Sequence, residues 1–152
     1  MPRFVFKLEA VLRQRKQIEE QRQRELALAR EQARLVEEEL RSLDQSLKST
    51  LEDLRKNRLV GTLDLHFLAA HRRYTVSMQR KGQGLVQKLA AMQPVIEAKR
   101  QALAEAAKRR KAIEKLKERR RELWLADLTR RENAELDEIS NQLFFTERES
   151  VA

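Results

Sequence analysis

Between Lys7 and Arg58 the chain contains neither glycine nor proline. About 52 residues free of helix breakers can run as one helix of ~78 Å, at 1.5 Å per residue. Only three glycines and two prolines occur in all 152 residues, whereas an ordinary domain carries roughly 7% glycine and 5% proline. Many-stranded sheets and α/β enzymes need far more turns than that. Charged residues make up 38% of the chain and aromatics 5%, and the high content of Ala, Glu, Lys, Leu, Arg and Gln is the signature of long helices or coiled coils. An elongated all-α protein without enzymatic activity is expected.

The first glycine, Gly61, divides the chain. A helix is predicted over about 7–58, a turn over 59–63 and a second helix over about 64–146, with the whole of 1–152 forming one coiled-coil hairpin. Gly61 tolerates a left-handed helix end, and Thr62 or Asp64 can cap the next helix. Gly82, Gly84 and Pro94 are soft points in the second helix; Pro94 removes a backbone donor and should kink or break it.

Heptad spacing supports this division. Ala33, Val36, Leu40, Leu43, Leu47, Thr50 and Leu54 step by three and four. Leu26 and Ala29 extend the row backward, but reaching Ile18, Val11, Leu8 and Phe4 requires a stutter near Arg22. In the second helix Leu68, His71, Thr75, Met78, Gly82, Leu85, Leu89, Met92, Ile96, Lys99, Leu103, Ala106, Arg110 and Ile113 keep one register. Such a narrow apolar seam needs a facing helix. A short linker makes the other half of the same chain the nearest partner, folded back antiparallel.

Folding about Gly61 places residue i near residue 122 − i, so Phe4 is expected near Glu118 and Leu43 near Gln79. The second helix then overhangs beyond about Arg121, carrying Trp124, Leu125, Leu128, Leu136, Ile139, Leu143, Phe144 and Phe145. An exposed apolar stripe usually marks a binding surface. It could equally serve a homodimer or fray. Trp124, with nothing expected opposite it, reads as a partner anchor, with local packing the alternative; Phe144 and Phe145 are further anchors.

Charge is unevenly spread within a formal net of +9. Residues 108–121 hold nine Lys or Arg against two Glu, while 122–152 hold eight acidic and three basic residues. Arg13, Arg15, Lys16, Arg22 and Arg24 form a second basic run on the first helix. These runs converge where the termini are expected to meet, a field that seeks an acidic or phosphate-rich surface. The basic run has three readings: a solvated coiled-coil face, a site for an acidic protein, or a site for nucleic acid or anionic lipid. Against nucleic acid stand the lack of aromatic stacking platforms and of base-reading Asn or small residues.

No catalytic constellation is visible. None of the glycines precedes Gly-Lys-Ser/Thr, so a phosphate loop is absent. His66 and His71 lie ~140° apart around a helix; with no cysteine in the chain, neither a metal site nor a cofactor is expected. Runs such as Glu37-Glu38-Glu39 are ordinary solvated helix positions. Absence of cysteine suits a reducing cytosol. No signal-peptide core and no stretch near the ~18 apolar residues of a membrane span is present, so a cytoplasmic protein without direct membrane insertion is expected.

Phe6-Lys7-Leu8-Glu9-Ala10-Val11-Leu12-Arg13-Gln14-Arg15 resembles the opening of the flagellar FliJ proteins, of the form Phe-x-Leu-x-x-Val-Leu-x-x-Arg. Heptads through Glu38-Glu39-Leu40, a lone glycine near residue 60 and a longer basic second helix carry the resemblance over almost the whole chain. It implies an antiparallel helical hairpin similar to the central stalk of rotary ATPases. It also implies three partners: the hexameric flagellar export ATPase, the large transmembrane export-gate protein, and export chaperones. No nucleic acid partner is implied, and the free chain is expected to be a monomer, peripheral to the inner membrane through the export apparatus. ATPase contact is placed on Phe6, Leu8, Val11, Leu12, Arg13, Arg15, Arg109, Arg110, Arg119 and Arg120. Export-gate contact is placed on Leu43, Leu47, Tyr74 and Met78; Ser46 and Thr50 stand where family members often carry aromatics. Reversing charge at Arg109 and Arg110 is expected to weaken ATPase coupling without altering helix content. A nucleic-acid-associated coiled coil and a structural homo-oligomer are the other classes.

Overall fold

The computed structural model describes residues 3–58 and 64–151. Helix α1 spans Glu9–Arg58 (50 residues) and helix α2 spans Leu65–Val151 (87 residues); no strand occurs among the described residues. The fold is an all-α helical hairpin with the second helix the longer. The turn expected at 59–63 lies outside the described residues.

Local chemistry explains the helix starts. Asp64 caps α2, as expected of it: its Oδ1 accepts from the backbone N–H of His66 (3.0 Å) and Phe67 (3.4 Å), and its carbonyl accepts from Leu68 (3.1 Å). These bonds satisfy donors that a helix start otherwise leaves orphaned. At the other start, Glu9 N–H donates to Phe6 O (3.1 Å) and Leu12 N–H to Leu8 O (2.9 Å). Residues 3–6 are therefore outside the helix, and α1 begins two residues later than position 7.

Helix α2 continues through Gly82, Gly84 and Pro94, so the proline does not break it. Pro94 is exposed, whereas Leu89, Met92 and Ile96 on either side are half-buried in the seam. Packing of those flanking residues holds the helix across the missing donor.

The chain divides into two compact units, Met1–Glu19 with Ala106–Ala152, and Glu20–Glu105. In the second, Leu26, Ala29, Ala33 and Val36 are buried, Leu40 to Leu54 continue half-buried at seam spacing, and Leu85 is the buried residue of α2. Lys81 pairs with Glu39 at 3.1 Å, and a Cβ built on Gly82 would stand 3.4 Å from Leu43 Cδ2. Leu43 thus faces Gly82 rather than Gln79. Helix Cα–Cβ bonds tilt toward the N-terminus, and on an antiparallel partner that lean meets higher residue numbers.

In the first unit Phe6 and Leu12 are only 6% and 3% exposed, and Ala106 is buried. Lys117 pairs with Glu9 at 2.7 Å, and Glu19 pairs with Arg110, so α1 numbers rise as α2 numbers fall. Phe4 meets Trp124, with ring centroids 5.8 Å apart and planes at 53°. The expected neighbour, Glu118, is six residues short of this. The same offset already stands between the helices, since Glu19 meets Arg110 and Lys16 meets Glu114 rather than residues 103 and 106, so the register of the two helices sets it.

Two expectations are corrected here. Trp124 is not alone: Phe4 covers it, and the run of exposed residues on α2 extends from Thr129 to Thr146. Nor does the seam of α1 need a stutter near Arg22. From Leu26 the register skips the exposed Arg22 and resumes at Glu19, Arg15, Leu12 and Leu8 at steps of three and four, with Val11 and Ile18 half-buried beside it. Charged residues occupy those steps, which conceals the register from an apolar count.

Candidate partner-binding surfaces

The inner charges of the first unit are matched to one another. Arg110 donates to Glu19 across the helix pair and to Glu114 along its own helix, and Lys16 lies 3.6 Å from Glu114. Side chains of Arg110 and Glu19 are each 21% exposed. Hydrogen bonding to Glu19 pushes the Arg110 guanidinium above its usual value, and hydrogen bonding to Lys117 holds the Glu9 carboxyl below its own. Lys16, Glu19, Arg110 and Glu114 form an alternating, locally neutral set. Arg110 is therefore engaged inside the hairpin, and reversing its charge would disturb helix pairing as well as any outer contact.

Expected ATPase-contact residues fall into three groups. Phe6 and Leu12 are buried; Leu8, Val11 and Arg15 are half-buried with Arg110. Arg13, Arg109, Arg119 and Arg120 are exposed. Arg119 and Arg120 have no ion-pair partner among the described residues, so their charge is available to an outside surface. Lys117 does not join them: it bonds Glu9 and lies 5.9 Å from the Phe6 ring centroid.

Of the expected gate-contact residues, Leu43, Leu47 and Met78 are half-buried seam positions in the second unit, and Tyr74 is exposed. At the far end of α2, Phe144 and Phe145 are exposed and meet edge-on at 6.4 Å, with the Arg148 guanidinium 5.5 Å from Phe144. Leu136, Ile139 and Leu143 share that exposure.

One surface escaped the sequence reading. Ala69, Arg72, Arg73, Val76, Ser77 and Arg80 line a shallow groove on α2 in the second unit. All six are exposed, on the side of α2 away from its seam residues Leu68, His71, Thr75 and Met78. Arg72, Arg73 and Arg80 have no ion-pair partner among the described residues. A signal was present: residues 65–96 contain no Asp or Glu. Counting dense basic runs overlooked it, because its basic residues are sparse.

Among the described residues no three of His, Asp or Glu converge as a metal-binding group, and no helix is long and apolar enough to cross a membrane. A paired-helix scaffold with charged outer faces defines an interaction protein of the coiled-coil class. Over residues 4–149 the chain matches the family described as Flagellar FliJ protein. It belongs to the FliJ family, and so is a component of flagellar type III protein export. No curated protein and no solved structure matches the chain.

Proposed function

We propose that this chain is the stalk of the flagellar export apparatus: it binds and stimulates the hexameric export ATPase, contacts the large transmembrane export-gate protein and helps deliver export chaperones. The observation that carries the reading is the sorting of charge in the unit that holds the N-terminus. Inner charges neutralise one another, while Arg119 and Arg120 are left for a partner. An asymmetric stalk gives different contacts to different subunits of a ring, and only differential contacts can shift their conformations. Arg13, Arg109, Arg119 and Arg120 supply the polar contacts; Leu8, Val11 and Arg15 support them from the half-buried side, and Phe6 and Leu12 hold the segment in place. Tyr74 leads the gate contact, backed by Leu43, Leu47 and Met78. The protein acts at the cytoplasmic face of the inner membrane through these partners.

The test is ATP hydrolysis by the same organism's export ATPase, titrated with this chain at near-physiological salt. A saturable rise is expected. An active ATPase that stays at its basal rate across the titration would overturn the proposal.

A further inference from the structure

Two surfaces of α2 are complementary to each other: the face of 65–80 turned away from the seam, and the exposed residues 132–146. Residues 65–96 contain five Lys or Arg and no acid; residues 132–147 contain five Asp or Glu and no base. The first carries the arginine groove, in which Ala69 and Val76 lie among Arg72, Arg73 and Arg80. Leu65, one turn before Ala69, is 77% exposed. The second carries Leu136, Ile139 and Leu143 in a bare heptad row. Glu132 and Glu135 stand four residues before Leu136 and Ile139, on the same faces. Each surface sets exposed apolar residues beside charges of one sign, and the two signs are opposite.

We propose that the arginine face of α2 at 65–80 is a docking surface for the acidic segment 132–147 of a second copy of this chain. Both stretches belong to helix α2, and the contact proposed is between copies, which the change of mass with concentration reads directly. Arg72, Arg73 and Arg80 meet Glu132 and Glu135, while Leu65, Ala69 and Val76 meet Leu136, Ile139 and Leu143. Such a contact is heterologous: every copy offers one face and one segment, so chains add head to tail. Each copy carries a formal net charge of +9, which repels at long range. Near 0.1 M salt, where the Debye length is about 10 Å, that repulsion is screened while the close pairs persist. This inference goes beyond the stalk reading and stands without it.

Sedimentation equilibrium of the full chain near 0.1 M salt tests it. The average mass should rise above 18.0 kDa with concentration and fall back in high salt. Arg72→Glu/Arg73→Glu/Arg80→Glu alone, and Glu132→Lys/Glu135→Lys alone, should each remain at monomer mass with unchanged helix content by circular dichroism. An equimolar mixture of the two variants should associate again, because each now carries the complement of the other. Wild-type chain that is monomeric at every concentration would overturn the proposal. So would arginine variants that associate like wild type, or a mixture that fails to recover. Monomeric wild type that floats with phosphatidylglycerol vesicles but not with phosphatidylcholine vesicles would assign the face to anionic lipid instead.

Discussion

The two compact units are built on the same heptad plan but filled differently. In residues 20–105 the buried positions of α1 are Leu26, Ala29, Ala33 and Val36, an apolar row. In the unit holding the N-terminus, Phe6 and Leu12 are buried, but the same row then runs through Arg15 and Glu19. An apolar heptad row gives adhesion with little preference for register, since a slide of seven residues brings similar side chains together. A charged pair in the seam removes that degeneracy at a cost in stability. The first filling supplies the strength of the hairpin, and the second supplies its alignment.

The largest effect should come from damaging the apolar row. Leu26→Ala removes a buried side chain and should cost about 2–5 kcal/mol, read as a drop in Tm with loss of helical circular dichroism at lower temperature. A smaller fall in Tm would show that the row is less important than its burial suggests.

Next come the seam charges. Arg110→Leu leaves Glu19 without its partner and should lower Tm. The double substitution Glu19→Leu/Arg110→Leu should recover most of the loss, because two apolar residues replace the pair. In that double variant alternative registers become accessible, so the emission of Trp124, the single tryptophan, should broaden as some molecules lose the Phe4 contact. A double variant with wild-type emission would remove the aligning role.

An opposite, smaller change is expected at Gly84. A Cβ there meets nothing within 4 Å, and alanine is about 0.8–1 kcal/mol better than glycine inside a helix. Gly84→Ala should therefore raise Tm by about 2–4 °C at this chain length.

Acid should produce the mildest effect. The Lys117 ammonium holds Glu9 below the usual carboxyl value, so the folded state favours the carboxylate. Its contribution is complete above the unfolded pKa of about 4.3 and disappears as pH falls through the lower folded value. Trp124 emission followed down this range should show a step that Glu9→Gln lacks.

Much of this architecture could be read in the amino acids. All seam positions named for α2, from Leu68 to Ile113, are buried or half-buried, as are Ala33 to Leu54 of α1. Periodicity reports them directly because apolar residues fill most of them. Legibility ended where chemistry departed from that rule. Glu19 is hidden in the seam because its fit depends on Arg110, 91 residues away, which no local pattern records, and Arg15 because a half-buried charged residue does not register in an apolar count. The Phe4 contact of Trp124 depends on the register of the two helices, which at Glu19 and Arg110 stands seven residues from a fold centred on Gly61. Arg72, Arg73 and Arg80 were passed over because their isolation comes from the absence of neighbouring acids.

The central claim is that outer charges address the ATPase while inner charges hold the hairpin, and one side-by-side measurement separates them. Stimulation of the export ATPase would be compared for Arg119→Glu/Arg120→Glu and for the charge swap Glu19→Arg/Arg110→Glu, with Tm recorded for both. The account predicts that the first variant keeps its Tm and loses stimulation, while the swap, which keeps the cross-helix pair in reverse but sets a second carboxylate beside Glu114, lowers Tm and retains stimulation. Full stimulation by the first variant, with loss confined to the swap, would contradict it.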